Sequence, residues 1–238
     1  MRILIVDQCS SVKKTSGRNE PLDKDTIDST SRNELIGMDG AESYPAEELY
    51  QGRQQQRITE AKRLLEDSDD EVNRVFISAG FGLVGDREEL PLYDVTFADM
   101  DAAEIDARAD ALDIHGELHD LIVGGDYDVV FFALGNDYCM GSKLDELLPD
   151  VSQETFVVFF NQDVFEEEYE NGLSIAARTP EAKAYGTIVV ALKGEYLHNF
   201  AAHRIAGDKV ESIADIEDYC TEEVGSQTGL DDYSSNSS

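Results

Sequence analysis

Apolar residues along the chain concentrate in five short runs that are separated by amphipathic or polar segments. Short, nearly continuous apolar runs are typical of strands that are buried on both faces. They predict strands over residues 2–6, 72–79, 127–134, 155–160 and 186–192. Apolar positions at helical spacing predict helices over residues 45–66, 101–123 and 194–205, and a short helix that ends before Pro149.

The alternation of strands and helices predicts an α/β (mixed α+β) fold, with a central, largely buried sheet flanked by helices in a single domain. We expect this domain to cover residues 1–224. Residues 8–44 are polar and show no sustained period, so residues 15–45 are expected to form a polar loop or insertion. Residues 225–238 are rich in Ser, Asp and Gly and are expected to be a disordered tail.

Charge changes this picture more than any other aspect of composition. The chain carries 51 acidic and 19 basic residues, a formal net charge of −32. The acids are scattered through the predicted helices and loops alike, which favours a halophilic protein whose surface is hydrated in molar salt, where the Debye length falls to roughly 3 Å. The chain has no long apolar run and no apolar stretch that suits a signal peptide, so a cytoplasmic protein without a membrane partner is expected.

Three windows of the chain are cationic against this acidic background. Residues 8–19, 49–59 and 182–207 carry net charges of +3, +2 and +2. An anionic ligand, above all phosphate, would be expected at such windows. The alternative is that they are buried or helix-packing stretches from which acids are excluded, and the sequence leaves both explanations open.

Two local motifs favour ordinary structural explanations. The residues Gly80-Phe81-Gly82-Leu83-Val84-Gly85 match the dinucleotide-binding pattern, but the segment that follows is extended instead of helical, so a tight turn is predicted. His115 and His119 lie four positions apart on one predicted helix, without an evident third ligand. A solvated helix face is the expected result, and we predict no metal and no cofactor.

Cys9 follows the first predicted strand, at the sheet edge where open α/β proteins bind ligands. The neighbouring Lys13 and Lys14 would lower the pKa of a thiol and make Cys9 a candidate nucleophile. The alternative is a small residue in a turn. The three cysteines are odd in number and widely spaced, so they indicate neither a disulfide framework nor a zinc ribbon.

Several of these segments, taken in chain order, resemble the YaaA family of peroxide-stress proteins and its shorter relatives. The similarity extends from Met1 to about Cys220 as a series of short elements. The elements that carry it are Cys9-Ser10 with Lys13-Lys14, Leu49-Tyr50-Gln51-Gly52, residues 77–84, Pro91-Leu92-Tyr93-Asp94, Asn136-Asp137-Tyr138 and Ala191-Leu192-Lys193-Gly194.

The chain departs from the family pattern at two positions: Phe81 stands where a Tyr is usual, and Asp94 stands where an Arg commonly follows the Pro-Tyr pair. The resemblance implies a mixed α/β fold, a cleft lined by these turns, DNA binding and a role in the oxidative stress response. The Cys-Ser-x-x-Lys start is also similar to the core domain of archaeosine synthase, which acts on a deazaguanine base in tRNA.

The resulting hypothesis is a YaaA-like protein whose partner is DNA, another nucleic acid or a nucleotide. We expect phosphate to contact four basic residues, Lys13, Lys14, Arg53 and Lys193, and bases to stack on three tyrosines, Tyr50, Tyr93 and Tyr138. Ser10, Ser78, Gly80 and Gly82 complete the predicted binding residues.

Two alternatives stay open. In the first, the chain is an enzyme that acts on a nucleobase or a modified nucleoside, with Cys9 or Asp137 as nucleophile or general base and the Gly80 to Gly85 turn as an anion cradle. In the second, it is a stress-associated module that binds another protein. The sequence does not decide whether the chain is an enzyme.

Overall fold

Four of the five apolar runs form strands of one sheet in the computed structural model, which describes residues 1–224 apart from the side chains of residues 166–168. The strands are β1 (Arg2–Gln8), β2 (Ser43–Pro45), β3 (Glu71–Ser78), β4 (Gly82–Gly85), β5 (Glu89–Pro91), β6 (Val129–Phe132), β7 (Phe156–Phe160) and β8 (Gly172–Ile175).

The helices of the described residues connect and cover these strands. They are α1 (Lys24–Ser29), α2 (Arg32–Gly37), α3 (Ala46–Leu49), α4 (Arg53–Asp67), α5 (Ala102–Ala111), α6 (Ile114–Val123), α7 (Asn136–Ser142), α8 (Leu144–Leu147), α9 (Asp163–Glu168), α10 (Thr179–Ala184), α11 (Val189–Ala206) and α12 (Ile213–Thr221). Short 3-10 helices cover Phe97–Asp99 and Leu148–Asp150.

The main sheet has the strand order β4-β3-β1-β6-β7-β8. All neighbouring strands are parallel except β4, which pairs antiparallel with β3 at one edge. Numbered along the chain, the five parallel strands follow the doubly wound order 2-1-3-4-5. The direction in which strands are added reverses between β1 and β6. In open α/β sheets the crevice at the carboxyl ends of such a pair of strands is where ligands bind.

The two faces of the sheet bury separate apolar layers. Alternate residues of β1 divide between them: Leu4 and Val6 face one layer, whereas Ile3 and Ile5 face the other. Helices α4 and α11 pack against each other in the second layer. Their close approach requires Gly194, where a Cβ atom would lie 2.8 Å from Cβ of Arg57 and 2.9 Å from the Gln54 carbonyl oxygen. The predicted mixed α/β fold, a sheet flanked by helices, is confirmed.

The predicted strand over residues 186–192 is wrong, because helix α11 begins at Val189. Ile188, Val189 and Val190 are all exposed, so their β-branched side chains do not fill a sheet interior. The last strand of the sheet is instead β8, a four-residue segment with only two apolar side chains, Leu173 and Ile175, which the sequence pattern did not indicate. Helix α12 was also missed.

The predicted helix over residues 101–123 is broken into α5 and α6. The break lies at Asp113, whose backbone is left-handed with φ of +50°. The predicted helix over residues 45–66 is likewise divided, into α3 and α4. Residues 15–45, expected as a loop or insertion, contain α1, α2 and β2, and β2 pairs with β5 in a small second sheet.

The expected disordered tail, residues 225–238, lies outside the described residues. Within residues 1–224, none of the helices combines the length and the apolar character that crossing a bilayer requires.

Candidate site at the carboxyl edge of the sheet

The site is built where β1 and β6 end side by side. The chain leaves β6 at Ala133, whose amide donates to the Val6 carbonyl oxygen at 2.9 Å. Two residues further along the chain, the amide of Gly135 donates to Oε1 of Gln8 at 2.5 Å. These bonds hold the loops that follow β1 and β6 together at the position where the winding of the sheet reverses.

The segment after β1 brings the first two cationic windows together. Cys9 is held by its amide, which donates to the Ile77 carbonyl oxygen of β3 at 3.0 Å. Further along, the amide of Lys14 donates to the Leu49 carbonyl oxygen at 2.7 Å, and the amide of Gln51 donates to the Val12 carbonyl oxygen at 2.8 Å. The Cys9 to Lys14 segment therefore lies against the start of α4.

Five of the predicted site residues form two buried hydrogen-bonded groups, which we call the hydroxyl–thiol cluster: Cys9, Tyr50, Ser78, Tyr93 and Tyr138. The hydroxyl of Tyr93 is hydrogen-bonded to the hydroxyls of Tyr50 at 2.6 Å and Ser78 at 2.7 Å. The Cys9 thiol is hydrogen-bonded to the Tyr138 hydroxyl at 3.0 Å. Burial raises the pKa of each of the three tyrosines, so all three phenols are protonated at neutral pH.

The tyrosine rings of this cluster do not present the stacking faces that the sequence suggested. Tyr50, Tyr93 and Tyr138 are 1%, 1% and 5% exposed. They pack against aromatic neighbours of the core: Tyr50 against Phe76, Tyr93 against Phe81 and Tyr138 against Phe97. Because the rings are packed against the core, a base cannot stack on them in this structure.

Lys13 lies above this cluster. Its ammonium nitrogen is 4.5 Å from the centre of the Tyr93 ring, a cation–π contact. Burial lowers the pKa of Lys13, and the nearby Cys9 and Asp94 oppose that shift only in part. No carboxylate of the described side chains forms an ion pair with it. The Lys13 ammonium is therefore partly withdrawn from water, and no described carboxylate lies close enough to form an ion pair with it.

Lys193, in the third cationic window, reaches the same edge from α11. Its ammonium donates to the carbonyl oxygen of Leu134, in the loop after β6. Burial lowers the pKa of Lys193 as well, opposed by Cys139 and Asp7. Lys13 and Lys193 are thus alike: each is desolvated, and neither pairs with a carboxylate among the described side chains.

This shared property separates Lys13 and Lys193 from the other basic residues. Of the 19 basic residues, ten form an ion pair with a carboxylate within the described part of the chain, and the remaining seven are exposed. The ten are Arg2, Lys14, Arg32, Arg57, Lys62, Arg74, Arg108, Lys143, Arg178 and Arg204. Buried charges in proteins are ordinarily paired, and acids outnumber bases in this chain, so two desolvated cations without a carboxylate partner among the described side chains are unusual.

Beneath this edge lies a buried ion pair, between Asp7 and Arg74, that was not predicted from the sequence. The Asp7 carboxylate accepts from Nη2 of Arg74 at 2.7 Å, from Nε2 of Gln54 at 2.7 Å and from Nε2 of Gln55 at 3.2 Å. Gln54 Nε2 also donates to the Ala133 carbonyl oxygen at 2.8 Å. The network ties the first turn of α4 to β1 and β6. Its sequence signal was an acid and an arginine inside otherwise apolar strands.

The remaining predicted binding residues differ in how available they are. The ammonium of Lys14 is bound to Glu48 at 2.7 Å, whereas Arg53 is exposed and forms no ion pair with the described side chains. Ser10 accepts from the Val12 amide at 3.1 Å. Asp137 is partly buried next to Tyr138, and its carboxylate forms no hydrogen bond to a described residue.

The glycine-rich segment, predicted as a tight turn, forms the turn of a β-hairpin at residues 79–81 and its second strand, β4, at Gly82–Gly85. Its Gly80 and Phe81 amides donate to the hydroxyl of Ser78, at 3.2 and 3.1 Å, so these two amides are not free to bind an anion. A Cβ atom on Gly80 would lie 2.7 Å from the Tyr93 ring, and Gly82 has a φ of +75°. The two glycines thus shape the turn over Tyr93.

His115 and His119 lie on α6 with their rings 6.2 Å apart. His115 is hydrogen-bonded to the Ser142 carbonyl oxygen and His119 to Asp150. Among the described residues, no group of three or more His, Cys, Asp or Glu side chains is arranged to hold a metal ion.

The fold and the site together define a doubly wound α/β protein with two unpaired lysines at its carboxyl edge. No protein-family model, no curated protein and no solved structure matches the chain significantly.

Proposed function

We propose that the chain binds a nucleotide or a nucleic acid, with a phosphate group held at the carboxyl edge between β1 and β6. The observation that carries the proposal is the pair of desolvated lysines, Lys13 and Lys193, which lack carboxylate partners among the described side chains. The phosphate groups of such a ligand would supply negative charge to these lysines. Arg53, at the exposed start of α4, adds a third cation to this edge.

The position of the site supports the same proposal, because doubly wound sheets bind their ligands at the reversal of strand order. In molar salt the release of counterions contributes little to the binding of phosphate, so direct contacts with desolvated groups must supply the affinity. Two ammonium groups that are already desolvated suit this requirement. The resemblance to YaaA, with its DNA-binding and oxidative-stress roles, is consistent with this proposal and stays a prediction.

The test measures binding by titration calorimetry in molar KCl, with nucleoside monophosphates and a single-stranded oligonucleotide as ligands. We expect Lys13→Ala and Lys193→Ala each to weaken binding about tenfold or more, which corresponds to roughly 1.4 kcal/mol. Lys183→Ala is the matched control, because Lys183 lies in the same cationic window as Lys193 but is exposed. The proposal fails if neither ligand binds, or if all three variants bind like the original chain.

A second function, chemistry on a nucleobase, is favoured by the Cys9 thiol. It lies 3.0 Å from a protonated phenol, that of Tyr138, and next to the Lys13 ammonium. A thiol beside an acid and a cation is suited to nucleophilic attack on an electron-poor ring. This function predicts that a Cys9→Ser chain binds its ligand normally but fails to restore a modified nucleoside missing from RNA or DNA of a deletion strain. An unchanged nucleoside profile in that strain would contradict it.

A further inference from the structure

A cavity of about 390 Å³ lies beside the proposed phosphate site, between α7 and the start of α9. Its walls include Asn136 and Cys139, which follow β6, and Gln162, which follows β7. Its volume falls within the range of about 300–1,000 Å³ that is usual for small-molecule sites. The sequence analysis did not assign a function to any of these three residues.

The cavity adjoins the proposed phosphate site through the loop after β6. The Lys193 ammonium donates to the carbonyl oxygen of Leu134, and Asn136, two residues later, lines the cavity. Cys139 also lines the cavity, and burial raises its pKa to about 11, so this part of the wall is a neutral thiol. A ligand could therefore contact Lys193 and enter the cavity without crossing a charged group on that side.

An amide pair faces this cavity. Nε2 of Gln162 donates to Oδ1 of Asn136 at 2.7 Å, and the backbone amide of Gln162 donates to the Ser174 hydroxyl at 2.9 Å. The Asn136 amino group and the Gln162 carbonyl oxygen then have no partner among the described residues, which leaves one donor and one acceptor. If both amides were turned over, a donor and an acceptor would still remain.

Three of the other four residues that line the cavity are apolar. Met140 and Val164 are 42% and 65% exposed, and Phe165 is partly buried beside them. Flat apolar rings are stabilised by such contacts. Asp145 also lines the cavity, and its negative charge disfavours a phosphate there. The lining as a whole suits a neutral, flat, hydrogen-bonding group.

We propose that this cavity holds the nucleobase of a nucleotide, with Asn136 and Gln162 contacting the edge of the base and Met140 and Val164 contacting its face. The Watson–Crick edge of each nucleobase presents a donor next to an acceptor, as an Asn or Gln amide does. This inference rests on the proposed function, because it extends the ligand from the phosphate at Lys13 and Lys193 across the loop after β6. A sugar phosphate without a base would occupy only the lysine end.

The experiment compares four nucleoside monophosphates (AMP, GMP, CMP and UMP) with ribose 5-phosphate, by calorimetry in molar KCl. We expect at least one nucleotide to bind about tenfold or more tightly than ribose 5-phosphate. Asn136→Ala and Gln162→Ala should each remove most of this advantage while leaving the affinity for ribose 5-phosphate unchanged. Gln153→Ala is the matched control, because it removes an exposed amide that precedes β7, at the opposite edge.

The outcomes separate this inference from the proposed function. If the nucleotides bind no better than ribose 5-phosphate, or if the two variants keep the full advantage, the base site is wrong and the phosphate site stands. If neither nucleotides nor ribose 5-phosphate bind, the proposed function fails and the base site fails with it. A loss of affinity for ribose 5-phosphate in both variants would also count against a role limited to the base.

Discussion

At the amino edge of the sheet a buried carboxylate is paired, whereas at the carboxyl edge two desolvated lysines, Lys13 and Lys193, form no ion pair with a described side chain. The Asp70 carboxylate, before β3, is only 1% exposed, and Nε and Nη2 of Arg204 donate to its two oxygens at 2.9 and 2.8 Å. Lys13 and Lys193 at the other edge contact an aromatic ring and a carbonyl oxygen instead. The paired charges stabilise the free protein, whereas the unpaired lysines are the groups to which the proposed phosphate would bind.

The groups beneath Lys13 explain why the carboxyl edge tolerates an unpaired cation. The cation at Lys13 lies above neutral phenols and a thiol, so no buried anion competes for it inside the cluster. The Asp7 carboxylate, which could have done so, is occupied by Arg74 and two glutamines. Positive charge at this edge is therefore left available for a bound anion.

The largest expected effect is at the paired edge. Asp70→Ala leaves the Arg204 guanidinium, 14% exposed, without its carboxylate, and should lower the free energy of unfolding by about 3–5 kcal/mol. Denaturant unfolding in molar KCl measures it. The control is Asp126→Ala, because Asp126 is fully exposed at 4.0 Å from Arg2, and no measurable change is expected there. If the two variants lost the same free energy of unfolding, the buried pair of Asp70 and Arg204 would contribute no more than an exposed pair.

The destabilisation caused by Asp70→Ala should depend on pH. Burial alone would raise the pKa of Asp70. Hydrogen bonds from Arg204, the Met1 amino group and Ser68 outweigh burial, and they lower this pKa from its usual value of 3.8. The stabilisation from Asp70 is then fully present above about pH 4 and is lost as the pH falls through the lowered value. Asp70→Ala should therefore flatten the acid side of the stability curve.

A smaller effect is expected in the neutral cluster at the other edge. Tyr93→Phe removes the hydroxyl that is shared by Tyr50 and Ser78, and should cost about 1–3 kcal/mol because buried partners are left unsatisfied. Tyr219→Phe is the control, because its hydroxyl bonds the Lys209 carbonyl oxygen at the surface, where water can replace it. A loss in Tyr93→Phe no greater than in the control would show that the cluster contributes little.

The smallest effect, and one of opposite sign, is expected at Lys13. Lys13→Met keeps the contact with the Tyr93 ring and removes a desolvated charge, so the free protein should gain up to about 1 kcal/mol at neutral pH. This gain should shrink as the pH rises towards 10.5, because the lowered pKa of Lys13 lets the folded state lose its proton first.

Lys62→Met is the control for Lys13. Lys62 is similarly buried but pairs with Asp86 at 2.7 Å and Glu66 at 3.2 Å, so its removal should destabilise the protein. Destabilisation by Lys13→Met of the same size as that by Lys62→Met would contradict the distinction between paired and unpaired lysines.

The interior strands could be predicted from sequence because continuous apolar runs have few other uses in a buried sheet. The run at residues 188–190 shows the limit of this signal, since the packing of α11 on α4 decides its structure and leaves these side chains exposed. Strand β8 has a weak apolar signal because it lies at the edge of the sheet. Neither outcome can be derived from local preference alone.

The candidate site was accessible from sequence only in part. The predicted site included Lys13, Tyr50, Ser78 and Tyr93, and in the structure Tyr93 contacts the other three. Cys9, also predicted there, is hydrogen-bonded to Tyr138. The buried role of the tyrosines could not be foreseen, because a polar aromatic residue suits a core and a binding surface equally. The pairing of Asn136 with Gln162 depends on the adjacency of β6 and β7, which spacing along the chain does not reveal.

The short strands β4 and β8 at the two margins of the main sheet have a consequence for self-association. Each has four residues, so neither exposes a long row of unpaired backbone groups on which another chain could add a strand. In concentrated salt, charge repulsion between copies of the chain is screened, so its 51 acidic residues protect less against aggregation. Short edge strands still limit the addition of strands from other chains, and so protect against fibre-like aggregation.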